Sequence, residues 1–449
     1  MPAIPRLPGH PLFGHLLAFR RDRVGLIERV YRQCGEIGEI RLFHRVVVMA
    51  SPALAQAVLV DQADAFEKGV VIRKWARPVL GNGILSCRNA EHRPRRRLVQ
   101  PALASKHLAG FVGPMASATE EMVDGWFARS QAPRAIDLAA EMMHLVLRIV
   151  GRALFAVDLQ SEAPHLSSAL AEVNRHMANR IGGPLRISSR AFRRATATLD
   201  RAIEQMIEER RRAGPERAGG DFLSSLVFAR DEEDRERKLD AAQIRDEAMT
   251  LFVAGHETTA TALAWMLFLL LGHPDALERV RAEADEVLGR GQVRWEDLPR
   301  LVYTRAVFNE ALRLFPPVHS LGRQAFRDVA IDGYRIPSGR LVIVSTYLLH
   351  RRPDLFPDPL RFMPERFLGA EPPPFSYLPF GHGTRICVGN HFAAAIAQVV
   401  LATLIRRVRL GPFGEPAVHG DMHITLKPRE VLAEVSPSVA YQPALRAAI

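Results

Sequence analysis

Apolar and polar positions along the chain follow a helical period over most of its length, with strand-like alternation confined to the two ends. Residues 36–50 (EIGEIRLFHRVVVMA) alternate and carry β-branched side chains, which predicts strands. Ser51-Pro52 opens a helix through Leu59. Residues 68–90 are mixed, with Gly81-Asn82-Gly83 marking a turn. A basic helix begins at Arg93 and runs to about Ala104, and residues 115–130, 137–157 and 164–181 read as further helices. Gly182-Gly183-Pro184 breaks the pattern. The helix from Phe192 to Arg212 ends at Ala213-Gly214-Pro215, and the charged stretch Arg230 to Lys238 reads as a solvated loop. The longest helical candidate is Asp240 to Gly272, with Asp240 as cap and Gln243 placed to complete a capping box. Pro274 opens the next helix, and Tyr303 to Phe315 forms another, stopped by Pro316-Pro317. Short strands follow at 329–336 and 341–345, then loops, an apolar helix from Phe392 to Leu404, and a β-like segment at 421–437. The expected fold class is mainly α with a small β region.

Composition changes this picture little. The chain has 449 residues, 48% hydrophobic and 24% charged, an ordinary globular balance with enough length for a large core. Length alone would suggest two or three domains. No Ser/Gly linker or internal repeat divides the sequence, so 1–449 reads as one unit. The cysteines are Cys34, Cys87 and Cys387, and no CxxC pair or Cys/His cluster suggests zinc. So sparse and odd a count points to a reducing compartment.

The net charge of +11 is carried largely by arginine. No nucleic-acid motif accompanies it. Most of the charge therefore reads as solvated surface, and part as a docking patch for an acidic protein. The opening MPAIPRLPGHPLFGHL lacks a basic n-region followed by an apolar stretch, and so does not read as a secretory signal. No run of about twenty apolar residues occurs, and Thr261 to Leu271 reads as core helix. The expectation is a soluble, cytoplasmic monomer without a transmembrane anchor, peripheral membrane contact remaining open.

Three short segments carry chemistry. The first is Phe380-Gly381-His382-Gly383-Thr384-Arg385-Ile386-Cys387-Val388-Gly389. A lone Cys in an apolar setting is usually an inert core residue. Here it sits among glycines just ahead of a helix N-terminus, and both features favour a thiolate. The second is Ala254-Gly255-His256-Glu257-Thr258-Thr259, in the middle of the longest helix. Glycine at a helix interior costs about 1 kcal/mol relative to alanine, so Gly255 asks for a reason. Thr258 can bond back to the carbonyl of Ala254 and bend or open the ladder beside Gly255, leaving a groove. His256 and Thr259 read as packing and helix-bonding residues. The third is Asn309-Glu310-Ala311-Leu312-Arg313, which sets Glu310 and Arg313 on one helix face.

Together these segments resemble the cytochrome P450 family. The first fits its FGxGxRxCxG haem-binding loop at every fixed position, the second its oxygen-activation motif, and the third its ExxR motif. The likeness extends from the Pro-rich start to the last β-like segment.

The resemblance implies a P450 fold, haem b held by Cys387 as thiolate ligand, and Glu257 and Thr258 as the acid–alcohol pair that relays protons. A thiolate ligand pushes electron density toward bound dioxygen and favours O–O cleavage. Arg366, in Phe362-Met363-Pro364-Glu365-Arg366-Phe367, would join Glu310 and Arg313 in a bracket behind the thiolate loop. His92, Arg96, Arg323 and Arg385 match propionate-binding positions. Ala254 and Gly389 would face the cofactor, and Phe380 would pack near the sulfur. Arg93, Arg95 and Arg97 would point elsewhere, toward solvent or a partner.

The implied function is a monooxygenase that puts one oxygen atom from O2 into an apolar substrate, such as a terpenoid, steroid, fatty-acyl or macrolide-like compound. The AGHETT stretch also resembles that of bacterial fatty-acid hydroxylases. No GxGxxG or P-loop is present, so electrons would come from a ferredoxin or flavodoxin with its reductase. Pocket walls are expected from Ile84, Leu85, the turn Gly182 to Ile187, Val253, Ala254, Val318, Leu321 and Ile424. The alternatives are a haem-thiolate peroxygenase or isomerase, which the retained acid–alcohol pair disfavours, and a haem-binding sensor without turnover.

Overall fold

In a computed structural model of the protein, the described residues are 2–69, 72–128, 135–158, 164–180, 189–216, 220–231, 233–234, 236, 238–369, 371–414, 420–422 and 425–438. The organising element is the helix Ala241–Leu271. Its start is fixed by the capping box expected there: Gln243 N–H donates to Asp240 Oδ1 at 2.8 Å, and Asp240 N–H to Gln243 Oε1 at 3.2 Å. Such reciprocal caps satisfy backbone donors that a helix start otherwise leaves open. From Thr259 to Leu271 nearly every side chain is buried, so this end is core helix, as its composition predicts. The helix Leu138–Phe155 packs along it, and His256 Nε2 meets the Met143 carbonyl at 2.9 Å. Helices Val302–Leu314 and Asn390–Arg407 complete the surround. One large apolar cluster runs through them, including Leu145, Ile149, Phe252, Leu263, Val307 and Ile396.

A five-stranded sheet joins the two ends of the sequence. Its order is Ile37–Arg41, Arg45–Met49, Leu341–Val344, Leu321–Ala325 and Phe66–Lys68. Arg45–Met49 pairs parallel to Leu341–Val344, and the other neighbours are antiparallel. The register sets Lys68 directly opposite Arg323. Two of these strands, Phe66–Lys68 and Leu321–Ala325, lie outside the expected ones, since both are short and neither shows a clean alternation. The β-like end of the chain divides between the hairpin Gly420–Met422/Leu426–Pro428 and a sheet of Ile136–Asp137, Leu432–Pro437 and Val408–Pro412.

Other boundaries also move. The helix expected from 115 begins at Ser105 and reaches Ala128, carrying Gly110, Gly113 and Pro114 inside it. The basic helix is Asn89–Val99, continued by a tight turn Gln100–Leu103. The stretch 230–238 is not simply solvated, because Asp231 is buried and takes a forked pair of bonds from Arg97. Among the described residues no single helix is long and apolar enough to cross a membrane.

Candidate active site

The loop ahead of Cys387 is shaped by glycine. Gly381 and Gly383 have φ of +71° and +70°, a region that L side chains rarely adopt. A Cβ on Gly383 would also overlap the Leu59 carbonyl oxygen. The loop closes where Cys387 N–H donates to the Phe380 carbonyl at 2.9 Å. Gly389 then caps the helix Asn390–Arg407 and its backbone N–H bonds to the sulfur. The Cys387 side chain is accessible although protein lies around it, so it faces a recess in the fold. Burial pushes the thiol pKa up, while the Gly389 N–H, Arg96 and Lys68 act to lower it.

Around this space gather Lys68, His92, Arg96, Arg323 and Arg385. Among the described residues none of the five pairs with a carboxylate. The nearby Glu67 is taken by Arg73 at 2.7 Å. Arg385 instead donates to the carbonyls of Ile84 and Cys87 and to Asn89 Oδ1, at 2.9 to 3.1 Å. Arg96 donates to the Ile386 carbonyl at 2.6 Å and so steadies the thiol loop. The electrostatic strain is visible in the pKa values. Burial and then Arg385 push His92 down to about 3. Burial and then Arg385 bring Arg323 to about 10. Burial, then Arg323 and Arg385, hold Lys68 well below the usual lysine range.

A cluster of like charges in low dielectric is costly without counterions. A ligand with two carboxylates would supply them, and a soft metal beside the thiol would complete the donor set. Haem, with its two propionates and its iron, fits both demands. Lys68 was not anticipated. It shares no motif with the other four and becomes a neighbour of Arg323 only through strand pairing.

On the long helix Thr258 Oγ1 donates to the Ala254 carbonyl at 2.7 Å, as its spacing predicts. The helix nevertheless runs unbroken through this point, so the expected opening of the ladder is not visible as a break. A Cβ on Gly255 would meet nothing within 4 Å, which leaves clear room beside the helix there. Glu257 is half-buried, and its Oε1 accepts from Thr425 Oγ1 at 2.7 Å. The turn after Gly81 ties the long helix to the thiol loop. Ile84 N–H donates to Glu247 Oε2 at 2.9 Å, and its carbonyl accepts from Arg385.

Arg95 is turned away from solvent, and Arg97 is half-exposed but tied down by acids. Arg95 is buried against Glu247 at 3.2 Å, and Arg97 is held by Asp231 and Glu233. Of the three arginines expected to point away, only Arg93 is exposed.

Behind the loop, Glu310 and Arg313 are both fully buried, and Arg313 forks onto the carboxylate at 2.6 and 2.7 Å. Met363 N–H adds a third bond to Glu310 at 2.9 Å, and Arg313 reaches the carbonyls of His350 and Pro359. Arg366 joins more loosely, its Nε 3.4 Å from Glu310 and without a well-aligned bond.

Of the expected pocket walls, Ile84 is buried, Leu85, Val253, Ala254 and Leu321 are half-buried, and Val318 is at the margin of exposure at 36%. Phe380 is half-buried against the main core. Ile424 and Gly182 to Ile187 lie outside the described residues.

The family model described as cytochrome P450 matches residues 4–431. The chain belongs to the cytochrome P450 family. Relatives of this P450 include the cyclooctatin synthase of Streptomyces melanosporofaciens, 37% identical over 95% of this chain and 94% of that protein. The cyclooctat-9-en-7-ol 5-monooxygenase of the same organism is 35% identical, over 90% and 88%. The pentalenene oxygenase of Streptomyces avermitilis is 30% identical, over 89% of each. The protein is thus a P450 monooxygenase, and its family carries haem with a thiolate on the iron.

A pH effect follows from this P450's buried histidines. His350 Nε2 accepts from Leu378 N–H at 2.8 Å, beside Arg313, and burial followed by Arg351 holds its pKa down to about 3. The unfolded chain takes up that proton near 6.5, so between about 6.5 and 3 it binds more protons than the folded protein. Stability is therefore complete above pH 6.5 and declines on acidification, and His92 acts in the same direction. Denaturant unfolding between pH 7 and about 4.5 should show a shallower loss in His350→Gln than in the wild type. Equal slopes in the two would mean that another group carries the effect.

Proposed function

We propose that this P450 inserts one oxygen atom from O2 into a neutral, terpenoid-like hydrocarbon, with electrons from a separate ferredoxin or flavodoxin and its reductase. We also propose that residues 1–449 act as one catalytic unit. The observation that carries the reading is the thiol at a helix N-terminus, facing a recess ringed by cations that, among the described residues, pair with no carboxylate. In that site Cys387 would hold the iron, while Lys68, His92, Arg323 and Arg385 would receive the propionates. Arg96 would share in this while bracing the loop from below. The group so held supplies dioxygen activation and oxygen transfer.

The remaining roles belong to the chain. Thr258 keeps its hydroxyl on the Ala254 carbonyl, leaving its lone pairs to accept from a water in the space beside Gly255. Glu257 is the reservoir that replaces a proton Thr258 passes on. The Glu310–Arg313 pair holds the thiol loop's support rigid. The apolar walls Ile84, Leu85, Val253 and Leu321 exclude water and favour a hydrocarbon. Burial gains roughly 25 cal/mol per Å2 of apolar surface, enough for binding without a salt bridge. The substrate named for one relative is an alcohol, and that of another, pentalenene, is by its name an unsaturated hydrocarbon; both agree with such walls.

The test pairs substrate and proton delivery. Terpenoid alcohols and hydrocarbons are screened for a shift of the haem toward high spin. The best ligand is then used with Thr258→Ala. Product per NAD(P)H should fall by about 100-fold, the lower end of the range for a lost proton donor, with peroxide rising in compensation. An unchanged ratio would remove Thr258 from the mechanism.

A further inference from the structure

We infer that Thr425 is a positioning residue for the proton relay: a fixed post that holds the Glu257 carboxylate in its resting place. This rests on the proposed role of Glu257, and it adds a residue that neither the motif nor the sequence reading assigns. Thr425 is 4% exposed and its hydroxyl donates to Glu257 Oε1 at 2.7 Å. The residue sits where the turn re-enters the hairpin Gly420–Met422/Leu426–Pro428.

The surroundings make it a post and not a passing contact. Leu426 N–H donates to the Pro317 carbonyl at 3.0 Å, and the Leu426 carbonyl accepts from Trp265 Nε1 at 2.8 Å. Trp265 is fully buried and stacks on Phe315 with ring centroids 4.0 Å apart. Across the hairpin, the Met422 carbonyl accepts from Arg23 at 2.9 Å. Thr425 is therefore fastened to the same long helix that carries Glu257, one turn of hairpin away from an aromatic anchor. Its hydroxyl can donate one hydrogen bond, and Glu257 Oε1 accepts it. Meanwhile the Thr258 hydroxyl donates its hydrogen bond to the Ala254 carbonyl. Acid and alcohol are thus each engaged elsewhere, and delivery requires the Glu257 carboxylate to leave a defined starting point.

The consequence concerns partition. In the coupled reaction one O2, two electrons from NAD(P)H through the redox proteins, and two protons yield hydroxylated product and water. When protons arrive out of place the same O2, electrons and protons leave as hydrogen peroxide. A carboxylate without its post samples more positions, so more turnovers take the second route.

The experiment compares Thr425→Val, which keeps the shape and removes the hydroxyl, with Thr425→Ser, which keeps the hydroxyl. Peroxide formed per product should rise about fivefold in Thr425→Val, the factor equivalent to one hydrogen bond of ordinary net strength. Thr425→Ser should return close to wild type, and the solvent deuterium isotope effect on the partition should change only in the valine variant. Independently of turnover, Glu257→Ala, Thr425→Val and their double variant should be non-additive in denaturant unfolding, because the two groups share one bond. A partition and isotope effect that are the same in valine, serine and wild-type proteins would overturn the inference, as would strict additivity. If Thr258→Ala and Glu257→Gln also leave the partition unchanged, the fault lies in the proposed function. If they disturb it and Thr425→Val does not, only the role of Thr425 fails.

Discussion

Cys387→His should abolish the red-shifted Soret band that reduced haem shows with carbon monoxide when a thiolate would hold its iron. Product formation is lost with it. The expected loss exceeds the about 10-fold to 100-fold that removing an outer-shell partner costs, because the ligand itself is gone. The geometry explains why nothing else can take its place. Cys34 and Cys87 are the other thiols, and Cys87 is buried with its sulfur directed at the Ile84 carbonyl. Arg385 also reaches the Cys87 sulfur, but the Cys387 sulfur has the Gly389 N–H and a helix start, besides Arg96 and Lys68, to support negative charge. Imidazole can bind iron but donates less electron density. The decisive measurement is the difference spectrum of reduced protein with and without CO. Retention of the red-shifted band in Cys387→His would show that the thiolate comes from elsewhere.

Glu310→Gln lowers stability by about 3–5 kcal/mol, the cost of leaving a buried charge without its partner. Arg313 would keep its bonds to the carbonyls of His350 and Pro359 but lose a forked carboxylate at 2.6 and 2.7 Å. Met363 N–H would be left with a weaker acceptor. Arg313→Lys should be nearly as harmful, since an ammonium cannot make the fork or span both carbonyls. The double substitution Glu310→Leu/Arg313→Leu should cost less than the sum of single losses, because no orphan charge remains. Arg366→Ala, at 3.4 Å and poorly aligned, should cost least of the three positions. Urea unfolding of the four variants orders them, and a mild Glu310→Gln with a severe Arg366→Ala would reverse this account of the bracket.

The chemistry of this site was legible wherever it is local. The thiol loop reads from ten consecutive residues because two of its glycines have positive φ and its cysteine must precede a helix. Thr258 reads from its spacing to Ala254, and Glu310–Arg313 from one helical turn. What could not be read depends on chain segments meeting from afar. Lys68 joins the cations only because a short strand pairs with Leu321–Ala325. Thr425 reaches Glu257 across the hairpin, with nothing in either segment to announce the other.

The burial of Arg95 and the tethering of Arg97 do not show in the sequence, because their acids, Glu247 and Asp231, lie on distant elements. Several boundaries failed for a different reason. Gly110, Gly113 and Pro114 weaken a helix locally, yet Ser105–Ala128 stays helical because flanking residues such as Leu108, Val112 and Met115 are buried in the core. Tertiary packing overrides propensity there, and no local pattern reveals it.

The sheet that unites both ends of the sequence also sets an order of events during synthesis. Arg45–Met49 emerges early, but the strand it pairs with in parallel, Leu341–Val344, follows after most of the chain has been made. Parallel pairing over so long a separation is slow, and an unpaired apolar strand such as Val46–Val48 is exposed to wrong partners meanwhile. Lys68 and Arg323 come into register through the same closure. The nascent protein can therefore pack Leu138–Phe155 along Ala241–Leu271 before it has a place for a dianionic cofactor, and Asn390–Arg407 joins that core only after the sheet can close. Cofactor capture belongs to the last stage of folding, and a ribosome-bound chain halted near Pro317 should already resist proteolysis in Leu138–Phe155 and Ala241–Leu271 while remaining colourless.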